Sequence, residues 1–150
     1  MASSARAGEA QKAQKAERAV AARRRNAAVL TAAFSGMPAL RVTEPPENVR
    51  HAYYKYYAFV RPERLKTGWD RDRIMNAVTA AGAPCFSGSC SEVYLEKAFD
   101  GNGLRPAERL PVAKELGETS LMFLVHPTLT EADMRRVAEI VGKVMVEATR

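Results

Sequence analysis

The sequence predicts an α+β domain: a small antiparallel or mixed sheet with helices packed on one face, entered through a long N-terminal helix. Three observations carry this. Residues 9–34 are dense in Ala, Gln, Lys, Glu and Arg, all strong helix formers. Two runs, 52–60 and 120–125, are continuous aromatic or aliphatic stretches of strand length. Helical apolar periodicity recurs between and after them, giving the order helix, strand, helix, short strand, short helices, strand, helix.

At 150 residues the chain suits one domain. Residues 1–17 read as a basic, partly disordered leading segment and 18–150 as the domain proper. Small polar residues at 1–8 favour disorder. The helix is firm from about residue 18, because its apolar face (Val20, Val29, Leu30, Phe34) belongs to its second half. Gly36 and Pro38 stop it. Leu40–Val42 suits a short strand, and the prolines at 45 and 46 mark a loop. In the strand at 52–60, alternation sets Tyr53, Lys55, Tyr57 and Phe59 against Tyr54, Tyr56, Ala58 and Val60. Tyrosine packs its ring and still offers a hydroxyl, so one face suits the border of a site.

Asp70 is a good N-cap for a helix reaching residue 81, with Ile74, Ala77, Val78 and Ala81 on one stripe. Gly82 and Pro84 end it. The stretch 84–94, Pro-Cys-Phe-Ser-Gly-Ser-Cys-Ser-Glu-Val-Tyr, follows. Such a loop either connects two elements or presents small polar groups to a ligand. Ser91 suits the N-cap of a short helix carrying Val93, Tyr94 and Ala98, and residues 100–103 suit a turn. Pro111 occupies the tolerated first position of another helix. Thr130 caps the last one, whose inward stripe is Met134, Val137, Ala138, Val141, Val144 and Met145.

Charge and cysteine usage exclude several function classes. The net charge of +6 resides mostly in residues 1–25, which hold seven Lys or Arg against two Glu; the rest is near neutral. Phosphate attraction from the body is therefore small, and Arg23, Arg24 and Arg25 read as a solvated helix face. The tyrosine strand lacks the glycines of an RNA-recognition sheet. No apolar run approaches the roughly 18 residues of a membrane span, and the N-terminus has no hydrophobic signal core. Cys85 and Cys90 support neither a zinc quartet nor a Cys-x-x-Cys pair, and read as free thiols of a cytoplasmic protein.

No glycine-rich phosphate motif is present. His51 and His126 are far apart and lack carboxylates at ligand spacing, so no metal site follows. Cys85, Ser87 and Ser89 stand in no nucleophile-elbow or Cys-His protease context, so no catalytic residue is assigned.

Four segments in order carry a likeness. They are Ala-Arg-Arg-Arg-Asn-Ala-Ala at 22–28, Arg-His-Ala-Tyr-Tyr-Lys-Tyr at 50–56, Ala-Ala-Gly-Ala-Pro at 80–84, and the span from Leu-Pro-Val-Ala at 110–113 to Val-His-Pro-Thr-Leu-Thr at 125–130. Over residues 22–148 the chain resembles the C-terminal small domain of DegT/StrS-type sugar aminotransferases, pyridoxal phosphate (PLP) enzymes of fold type I. The resemblance implies action on nucleotide-linked keto-sugars with glutamate as amino donor. It also implies a partner, the large PLP-binding domain that holds the Schiff-base lysine. Two departures stand out. Gly88 and Ser89 occupy the places of the family's loop histidine and following aromatic, so only the loop's location carries over. No lysine here lies in the family's Schiff-base context, so the expectation is no cofactor in this chain alone, PLP in the intact enzyme, and no transamination by this piece. Ser87, Ser89 and Tyr54 are the candidate contacts to sugar or phosphate. The alternatives are a stand-alone, non-catalytic binding or scaffold module of the same fold and, more weakly, a nucleic-acid-binding domain.

Overall fold

The computed structural model describes residues 2–149, with side chains from Gly8 onward. Helix α1 spans Ala2–Phe34. Its backbone runs well ahead of the firm start expected near residue 18, whereas among the described side chains burial begins only at Ala19 and Val20. Propensity, with the Arg50–Glu17 ion pair, supports the exposed stretch from residue 9 to 18, and packing supports the rest. Met1, at the head of the segment expected to be disordered, lies outside the described residues.

Four short strands follow: β1 Leu40–Val42, β2 Tyr56–Val60, β3 Cys85–Ser87 and β4 Ser120–Phe123. They form one sheet in the order β1-β2-β4-β3, antiparallel throughout. Helices α2 (Arg71–Ala80) and α4 (Glu131–Ala148) join the second half of α1 over one face, and α3 (Pro111–Thr119) leads directly into β4. On the covered face Tyr56, Ala58, Val60, Leu121, Phe123 and Cys85 meet Leu30 and Phe34 of α1, Ile74 and Val78 of α2, and Met134 and Val141 of α4 in one cluster. Phe34 stands edge-on to both Tyr56 and Phe123. Among the described residues no helix is long and apolar enough to cross a membrane.

Local chemistry explains most boundaries. Asp70 caps α2, its side chain accepting from the Arg73 amide. Thr130 and Asp133 close a reciprocal capping box on α4. Gly82, at φ 94, takes the left-handed step that turns the chain from α2 into β3. Asn26 of α1 is fully buried, and its Nδ2 donates to the carbonyls of His126 (3.2 Å) and Leu129 (3.0 Å), fixing the β4–α4 connection.

Three expectations need correction. Strand β2 starts at Tyr56 rather than residue 52, because Tyr53 adopts φ 46, which extended pairing does not allow. Strand β4 ends at Phe123, and Val125 is buried outside the ladder. The helix expected after Ser91 is instead two 3-10 turns, Val93–Leu95 and Lys97–Phe99, with Glu92 rather than Ser91 at the first cap position. A 3-10 turn is tighter than an α turn and occurs in short pieces, which suits a segment with little core to pack against.

Candidate functional site

The candidate site lies on the sheet face away from the core and along the segment after β3. Alternation along β2 turns Tyr57 and Phe59 to that face, and both are half-buried. The Tyr57 hydroxyl meets Ser89 Oγ at 2.9 Å. Strands are about 4.8 Å apart, and β4 lies between β2 and β3. A ring rooted on β2 and tethered beyond β3 therefore lies across β4. Met122, opposite Tyr57 in register, is accordingly only 7% exposed. Gly88 makes this approach possible: a Cβ there would sit 2.9 Å from Ser120 Cβ and 3.4 Å from Tyr57 Cε1. Its amide donates to Ser120 Oγ at 3.1 Å.

A groove of about 470 Å³ runs past Ser87, Ser89, Ser91 and Arg71. Arg71, mostly covered, donates from one terminal nitrogen to the carbonyls of Gly117 and Ser120, each at 3.1 Å, holding the end of α3 and the start of β4 beside the serines. Gly117 lacks a Cβ that would fall 2.5 Å from Ser91 Oγ. The structure thus brings Ser87 and Ser89 into one groove, Ser87 on the β3 edge in register with Leu121 and Ser89 tied to Tyr57. Tyr54 is elsewhere: it is 77% exposed on the bend before β2, with the Lys55 ammonium 5.7 Å from its ring centroid. Arg71 escaped sequence reasoning, as did the tie between Tyr57 and Ser89 that Gly88 permits. A Gly between two serines was the one local hint, since Tyr57 and Ser89 are 32 residues apart.

The two thiols differ. Burial pushes Cys85 up to about 12, so it stays a neutral core group. Cys90 is exposed, its Sγ 3.4 Å from Glu96 Oε1.

The segment after the groove is fastened by charge. Arg105 donates to the carbonyls of Tyr94 (2.9 Å), Leu95 (3.0 Å) and Glu96 (3.3 Å). Glu92 accepts from Arg109 Nε and Nη2, one on each carboxylate oxygen, and from the Tyr94 hydroxyl at 2.7 Å, while that hydroxyl accepts from the Leu110 amide. Arg109 and Tyr94 hold the Glu92 carboxyl at about 2, against an ordinary 4.5. A depressed carboxyl stabilises the fold fully above its unfolded value and loses that contribution as pH falls through its folded value. Amide protection around Val93–Leu95 should therefore fall between about pH 4.5 and 2. In NMR-detected exchange Glu92→Gln should abolish that step; a Glu92 carboxyl titrating near 4.5 would contradict the geometry.

One known family shares this fold. The model of the DegT/DnrJ/EryC1/StrS aminotransferase family matches residues 4–142. The chain belongs to that family. Among solved structures, the aminotransferase from Psychrobacter cryohalolentis is 46% identical with a TM-score of 0.82, over 89% of this chain and 36% of its own. The sugar aminotransferase CalS13 from Micromonospora echinospora (20% identity, TM-score 0.69, 85% of this chain and 31% of its own) shares the fold. So does PseC from Helicobacter pylori, an aminotransferase involved in the biosynthesis of pseudoaminic acid (14%, 0.76, 91% and 35%). No curated protein matches. The chain spans about a third of the length of these solved relatives.

Aminotransferases of the DegT/DnrJ/EryC1/StrS family depend in general on PLP, which needs a lysine amine, an acid at the pyridine nitrogen and a phosphate cradle in one site. The described residues do not fit it. Of the seven lysines, Lys12, Lys15, Lys66, Lys97, Lys114 and Lys143 are exposed, and half-buried Lys55 lies over the Tyr54 ring. Nor do the described residues hold a cluster of three or more His, Cys, Asp or Glu suited to a metal.

Proposed function

We propose that this chain is the C-terminal small domain of a PLP-dependent aminotransferase acting on nucleotide-linked keto-sugars, and that it does not transaminate alone. The observation that carries the proposal is a family fold with a serine groove tied to its open face and no lysine placed to hold the cofactor. The partner is the large PLP-binding domain, which supplies the amine. This domain's work is to orient the sugar nucleotide and exclude water. Ser87 and Ser89 offer hydroxyls to sugar or phosphate from the groove, and Tyr54 offers its own from the exposed bend. The enzyme would work in the cytoplasm, where free thiols persist.

A chimera tests this. The region of the Psychrobacter relative that aligns with this chain is replaced by residues 22–148, and glutamate-dependent amination of a nucleotide-linked keto-sugar is measured. Activity should persist, and alanine at Ser87, Ser89 and Tyr54 together should raise KM for the sugar nucleotide by about tenfold, the scale of one to two lost hydrogen bonds. A folded but inactive chimera, or an unchanged KM in the triple variant, would contradict the assignment.

A further inference from the structure

Beside the Tyr57 ring, where the β1–β2 connection meets the sheet, lies a second hollow of about 370 Å³ whose walls include His51, Tyr53, Tyr56, Tyr57 and Phe59, with Glu44 and Lys55 among its polar residues. We propose that this recess receives the planar base of a nucleoside diphosphate, with the diphosphate leaving toward the cations at its rim; the proposal rests on the nucleotide-sugar reading and adds a place for the base.

The volume falls in the range of small-molecule pockets, about 300–1,000 Å³, and mostly apolar walls with a few polar groups are their usual make-up. Aromatic faces bind any nucleobase by stacking. The walls are fixed in advance. Tyr53 is held in the left-handed region at φ 46, and its amide donates to His51 Nδ1 at 3.2 Å. Its ring meets His51 edge-on at 4.4 Å and stacks on Tyr56 at 6.4 Å with 18° between planes. Tyr56 is anchored in turn by Thr31 Oγ1 at 3.0 Å. A bulky residue in this conformation persists only where its surroundings over-determine it, and such residues cluster at ligand sites. On the other side the Tyr57 ring, a wall of the recess, is pinned by its hydrogen bond to Ser89, which lines the serine groove.

Charge fits the same ligand. Glu44 is the acceptor available to base N–H groups. Lys55 lies in the recess, and the Arg41 guanidinium sits 4.3 Å over Phe59. Among the described residues neither cation forms an ion pair. An anionic tail on a flat ring therefore meets cations at the rim and π faces within.

The test is an NMR-monitored titration of this chain with uridine 5′-diphosphate, inorganic pyrophosphate and uridine in separate arms. The expected result is that the diphosphate and uridine both shift the Tyr53, Tyr57 and Phe59 ring resonances. The nucleotide should bind about tenfold or more tighter than pyrophosphate, the scale of one stacked base. Tyr57→Leu should weaken it by about tenfold and Tyr57→Phe, which keeps the ring, by far less. Equal affinity for nucleotide and pyrophosphate overturns the recess as the base site while leaving the sugar-nucleotide function standing. So do nucleotide shifts confined to residues 85–91. No shift at those rings with any of the three also overturns the recess, and the chimera's activity then decides the function separately.

Discussion

Phe34→Ala is expected to destabilise the domain by about 3–5 kcal/mol, the range for truncating a buried aromatic. Phe34 is fully buried and joins the last turn of α1 to the sheet, with ring centroids 5.9 Å from Tyr56 and 5.2 Å from Phe123. Those three rings lie under the strands that carry the site, so the cavity would open where β2 and β4 are held to α1. The cost combines lost apolar burial, lost edge-to-face contact and incomplete collapse of a packed interior. Urea denaturation should show a lower midpoint with an unchanged slope. A loss below about 1 kcal/mol would mean that α1 does not pack as described.

Asn26→Leu should cost about 2–4 kcal/mol, although the two side chains are similar in size. The loss here is of hydrogen bonding: the carbonyls of His126 and Leu129 would lose their side-chain donor beside a fully buried position. Because those carbonyls belong to the connection between β4 and α4, exchange protection should fall first at residues 126–130. Near-wild-type stability would show that the pair of hydrogen bonds contributes little.

What was legible in the sequence was mainly local. Asp70, Gly82, Pro111 and Thr130 mark helix ends because capping and turn chemistry act over three or four residues. The stripe on α4 matches its buried face at Met134, Ala138, Val141, Val144 and Met145 for the same reason. The strand limit at Tyr56 was not legible, since nothing in a run of tyrosines signals that His51 will accept the Tyr53 amide. The charged fastening by Arg105 and Arg109 was equally hidden: it joins residues 9 to 17 apart with no periodic pattern. Within the site, the serine loop was visible as composition. Its tie to Tyr57 and its support by Arg71 depend on strand order, which brings positions 32 to 49 apart together. Tyr54 and Tyr57 are close in sequence, but the bend before β2 sends Tyr54 to solvent and leaves Tyr57 on the sheet.

The most direct check of the central claim is spectroscopic: this chain alone is mixed with PLP, then with glutamate, and the imine absorbance is followed. No specific Schiff-base band should form beyond that of surface amines, and glutamate should produce no half-transamination. A saturable imine on a single lysine that glutamate discharges would show that the chain carries its own catalytic amine, contrary to everything its lysines' positions imply.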